Sequence, residues 1–99
     1  MSEYSDTLRK HRRLAILRHL AGCSEYTSNA SILQDVLAGV GVTSTRDQVV
    51  TEIVWLREQG FAITEDRGDF IIVTATQRGV ELAQGMATHP EVQRPRPRV

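Results

Sequence analysis

The run "TSTRDQVVTEIVWLREQGFAITEDRGDFIIVT", residues 43–74, constrains the fold more than any other part of the chain. It reads as a capped helix, a glycine stop and a hairpin in immediate succession. Thr45 and Gln48 have the full capping-box spacing, while Ser44 with Asp47 fits more weakly because Asp replaces the usual Glu. Val49, Ile53 and Leu56 recur at helical spacing and form an inward stripe, and Gly60 stops the helix. "FAITED" and "DFIIVT" then flank Arg67-Gly68. A two-residue turn at that pair sets Asp66 opposite Asp69, Ile63 opposite Ile72 and Phe61 opposite Thr74. Opposed residues share a face. The expected core face therefore carries Phe61, Ile63, Phe70 and Ile72, and the other carries Ala62, Thr64, Ile71 and Val73.

The flanking segments supply the remaining elements. Ser5 or Asp6 caps a first helix that runs to Gly22, with Leu14, Leu17, Leu20 and Ala21 inward and Ile16 at the margin of the stripe. His11, Arg12, Arg18 and His19 fall on the other side. Tyr26 and Thr27 suit a short strand, and Ser28 or Asn29 caps a second helix with Ile32, Leu33, Val36 and Leu37 inward. A last helix starts near Thr76, where Thr74 and Gln77 have capping-box spacing, and turns Val80, Ala83 and Met86 inward. The end, "THPEVQRPRPRV", has three prolines and three arginines and few apolar groups, which predicts an extended, disordered tail.

A chain of 99 residues supports one domain, and 40% hydrophobic residues is an ordinary globular share. The expected fold class is α+β, mainly α: a winged helix-turn-helix of three helices, a two-stranded wing and a C-terminal helix over residues 1–87, followed by an Arg/Pro-rich tail over 88–99. The segments "RRLAILRHLAG", "RDQVVTEIVWLREQGF", "VTATQRGVELAQG" and "HPEVQRPRPR" together resemble a family of small winged-helix proteins encoded in Mu-like phages and prophages. The resemblance covers nearly the whole chain, and the central run and the Arg-Pro end are its most specific parts. Its members are often labelled transcription-regulator-like, so it implies a phage-encoded regulator that binds double-stranded DNA. Members often carry a basic residue after the first Val of the third helix, and this chain has Val50 there.

Charge complicates that expectation. Lys plus Arg and Asp plus Glu number 12 each, so the chain is formally neutral and is no general DNA coater. Projected at 100° per residue, the third helix turns Asp47, Thr51, Val54 and Glu58 away from its buried stripe. Carboxylates there repel phosphate. The N-terminal turn suits DNA better, and Ser44, Thr45, Arg46, Gln48 and Thr51 are the candidate readers. Arg12 and Arg18 of the first helix and Arg67 of the wing are candidate phosphate contacts, although Glu65, Asp66 and Asp69 surround Arg67. The tail arginines, Arg94, Arg96 and Arg98, would grip phosphates or an acidic partner. Val50, Val54 and Trp55 are apolar on the outer half of the third helix and are the candidate protein interface, for a homodimer or a phage protein.

Other chemistry is not indicated. No phosphate-binding glycine loop, metal-ligand spacing or nucleophile–base arrangement is evident, so neither catalysis nor a cofactor is expected. The single cysteine, Cys23, fits a reducing cytoplasmic setting as a small, partly buried residue. No secretory signal or membrane span is expected. Two readings remain. A DNA-binding regulator is favoured by fold and resemblance and stands first. A protein-interaction module in phage assembly or regulation, keeping the fold without reading DNA, is favoured by the charge pattern.

Overall fold

Asn29 ends a strand and starts a helix: its extended backbone closes β1 (Thr27–Asn29), and its side chain accepts the Ile32 amide to cap α2 (Ala30–Gly39). The computed structural model describes residues 3–96 and places α1 at Glu3–Ala21, α3 at Arg46–Glu58, β2 at Ala62–Asp66, β3 at Ile71–Ala75 and α4 at Gln77–Gln84. A 3-10 turn, Ser24–Tyr26, links α1 to β1. Among the described residues the strands form an antiparallel sheet in the order β1-β3-β2. The fold class is α+β, mainly helical.

Each helix start has a local cause. Thr45 and Gln48 close the reciprocal capping box of α3, at 3.1 and 2.9 Å. Thr76, not Thr74, caps α4, accepting from the Gly79 amide and donating to the Gly60 carbonyl. Thr74 instead bonds Thr27 across β1 and β3. Helix α1 begins before Ser5 and Asp6, so neither caps it. It packs on α4, α2 and α3 and brings Leu14, Ile16, Leu17 and Leu20 into the core. Leu33, Leu37, Val49, Ile53, Leu56, Phe61, Val73, Val80 and Ala83 complete its centre.

Several expectations are corrected. The hairpin turn is centred on Gly68-Asp69, closed by an Arg67 N–H to Phe70 carbonyl bond at 2.9 Å, with Gly68 at φ 82° as its first residue. Glycine takes that positive φ without a Cβ penalty. The pairing consequently shifts by two: Ile63 faces Thr74, and Asp66 faces Ile71. A shift of two preserves which residues share a face; Phe61 is buried as expected, but within the strands the core takes the opposite face. Ala62, Val73 and Ala75 are buried, while Ile63 is 61% exposed and Phe70 41% exposed. Helix α4 comes close to the start of the hairpin: a Cβ on Gly79 would overlap the Phe61 carbonyl oxygen. Ile32 and Met86 also point outward.

The C-terminal segment is packed, not a free tail. Arg13 Nη1 donates to the Glu91 carbonyl at 2.8 Å, and the Gln93 amide donates to the Lys10 carbonyl at 3.2 Å. Val92 is only 5% exposed. Pro95 lies against Gly85. Residues 97–99, with Arg98, lie outside the described residues.

Candidate nucleic-acid interface

Of the expected DNA contacts on the third helix and the hairpin, the structure engages some in internal bonds and leaves Arg46 and Thr51 exposed. Ser44 is buried: its hydroxyl accepts from Arg12 Nε at 2.7 Å and donates to the Val42 carbonyl at 2.7 Å. Arg12 is therefore an internal tie between α1 and the start of α3, and neither residue stands in solvent. This corrects the helical projection of α1, which set Arg12 on the outer side. Helices and the C-terminal segment cover more than one face of α1, and an arginine stem packs well along apolar surface.

Thr45 and Gln48 are exposed, with the threonine hydroxyl and the glutamine oxygen engaged in the capping box. Arg46 is exposed and reaches Ser31 at the start of α2, at 3.4 Å. Thr51 is exposed on the outer face. Arg67 pairs with Glu65 at 2.8 Å. Its hydrogen bond and charge hold the Glu65 carboxyl below the usual carboxylate range, and Glu65 raises Arg67 in turn. Both groups are in water, so screening keeps the pair's contribution to stability small. Arg18 is exposed on α1 beside Val36, Val40 and Val42.

The exposed charges of α3 and the hairpin sum to an acidic surface. Asp47, Glu58, Glu65, Asp66 and Asp69 stand against Arg46, Arg57 and Arg67, a net of two negative charges. Glu52, on the same helix, is 2% exposed and accepts from Arg13 Nε at 2.7 Å, with Arg9 at 3.6 Å. It shapes the core, not the surface.

The expected protein interface is divided as well. Val50 and Val54 are half-buried. Trp55 is overlaid by the Arg13 guanidinium, 3.8 Å from the ring centroid, and flanked by Phe61 and His89 with centroids at 6.3 and 5.3 Å. An arginine stacked on indole is a favourable cation–π contact. The tryptophan thus anchors the C-terminal segment and is itself half-buried.

Sequence reasoning missed a groove between α1 and α2. His11, Leu14, Ala15 and Arg18 of α1 meet Val36, Val40 and Val42 across an open cleft of about 480 Å³. Arg94 and Arg96 join His11, Leu14 and Arg18 along its edge. The signal was present: residues 11, 14, 15 and 18 lie on one helical face, where apolar and basic groups adjoin. No group of His, Cys, Asp and Glu suited to a metal occurs among the described residues, and Cys23 is a half-buried free thiol. No described helix is long and apolar enough to cross a membrane.

With this geometry in hand, comparison with known proteins is informative. The chain is 45% identical over 94 residues to an uncharacterized protein, gp26, of Escherichia phage Mu, covering 95% of this chain and 97% of that protein. The chain belongs to the family of phage Mu gp26. The chain is also 34% identical over 76 residues to an uncharacterized protein of Haemophilus influenzae, covering 76% of this chain and 74% of that protein. No family model matches the chain.

Proposed function

We propose that this gp26 relative is a winged-helix protein of a Mu-like phage or prophage that acts by binding another protein, without reading a DNA duplex. The order of elements, with β1 completing a sheet beside a hairpin that follows α3, supports the winged-helix reading. In that architecture α3 would enter the groove and the hairpin would lie on the backbone. The observation that carries the proposal is the acidic balance of those two elements. Duplex binding draws much of its affinity from cations that neutralise phosphates, and a surface of the wrong sign forfeits it.

The DNA-reading alternative rests on one specific observation: Arg46 and Thr51 remain exposed on the first turns of a well-capped helix. Mobility shifts with duplex fragments of the phage genome at low salt separate the two. Protein binding predicts no retarded complex. A specific complex that weakens on Arg46→Ala would establish the alternative.

A further inference from the structure

The cleft between α1 and α2 is the least accounted-for surface of the molecule. Its floor is apolar, formed by Leu14, Ala15, Val36, Val40 and Val42, and Val40 is 60% exposed. Its rim is basic. Arg18, Arg94 and Arg96 border it and take part in none of the ion pairs among the described residues. His11 and His19 also line the cleft, and no carboxylate does. The exposed charges of α3 and the hairpin are acidic in balance, so the formally neutral chain carries its acidic excess on elements other than those that line the cleft.

From this floor and rim we infer that the cleft is a docking groove for an acidic amphipathic helix of a partner protein. The inference rests on the protein-binding reading above and names the chemistry of the partner. An apolar trough between two helices accepts the apolar face of a third, read as side chains at i, i+3, i+4 and i+7. Carboxylates along one edge of that stripe would meet Arg18, Arg94 and Arg96, which gather on the α1 side of the cleft. Such complementarity steers association and fixes orientation. Single-stranded nucleic acid fits the same site less well. It needs aromatic faces on which bases stack, and the floor is aliphatic, with no Phe, Tyr or Trp lining it. Duplex DNA gains nothing from an apolar floor.

The test is a titration of the ¹⁵N-labelled full chain with a synthetic helical peptide that has Leu at i, i+3, i+4 and i+7 flanked by Glu. A second peptide of equal length replaces each Glu by Lys. The Glu peptide is expected to shift the amides of Ala15, Arg18, Val40 and Val42, with affinity falling as salt rises. Val40→Glu and Arg18→Glu, both at exposed positions, should each weaken it about tenfold or more while far-ultraviolet circular dichroism stays native. Equal binding of the Lys peptide overturns the proposal, as do shifts on α3 and the hairpin instead, affinity indifferent to both variants, or tighter binding of oligodeoxynucleotide at the cleft. Absence of Glu-peptide binding also overturns it. If the chain then self-associates in sedimentation and Val40→Glu abolishes this, the occupant is a second copy. A duplex that binds at α3 defeats the protein-binding reading itself; no binding of either duplex or Glu peptide defeats only the groove.

Discussion

Glu52 shows how a single residue type misleads about a surface. By residue type alone, a carboxylate on a helix belongs in solvent. Here it is buried between Arg13 and Arg9 and joins α1 to α3. Removing one partner of a buried pair leaves the other charge uncompensated, so Glu52→Ala should cost about 3–5 kcal/mol in urea unfolding. A loss below about 1 kcal/mol would mean that water reaches the site and screens it. Gly79 is a second such position. Glycine in a helix interior is ordinarily a weakness, and exchange for Ala would add helix propensity. Here the new Cβ would meet the Phe61 carbonyl oxygen, a backbone atom that yields little. Gly79→Ala should therefore lower stability by about 1–3 kcal/mol, measured as a fall in thermal midpoint. Neither role was legible from periodicity, because both depend on which neighbour arrives from elsewhere in the chain.

At the scale of elements, the legible part was local. The capping box of α3 was readable because Thr45 and Gln48 satisfy each other's backbone within one turn. The Asn29 cap of α2 and the inward stripes of α3 and α2 followed from spacing, although Ile32 turned out exposed. The hairpin was readable as a hairpin, but not its core face. Period-two alternation names two faces and leaves the choice to packing, which here favoured Ala62 and Ala75 over Ile63 and Phe70. The C-terminal segment was misread because its composition lacks apolar residues, yet the core needs few from it: Val92 is buried and His89 covers Trp55. Backbone carbonyls and a guanidinium do the rest. Deleting residues 88–99 should expose the Trp55 ring, move its fluorescence to longer wavelength and reduce the urea midpoint. An unchanged emission maximum would show that the segment does not cover the ring in solution.

The whole molecule is formally neutral, with its exposed charge divided among elements. Helix α3 and the hairpin are acidic in balance, and α1 and the C-terminal segment offer Arg18, Arg94 and Arg96 beside an apolar cleft. Membership in the gp26 family carries the chain to phage Mu and stops there, since fold and kinship leave function to the sites. The two candidate surfaces predict opposite responses to nucleic acid, and one titration decides between them. Fluorescence anisotropy of labelled duplex fragments from the phage genome, at low and at physiological salt, measures the affinity directly. Protein binding predicts a dissociation constant no tighter than about 10⁻⁴ M at physiological salt, the weak end of non-specific association, with no preference among fragments. A fragment bound at about 10⁻⁸ M or tighter, and released by Arg46→Ala, would contradict the account and return α3 to the role of a DNA-reading helix.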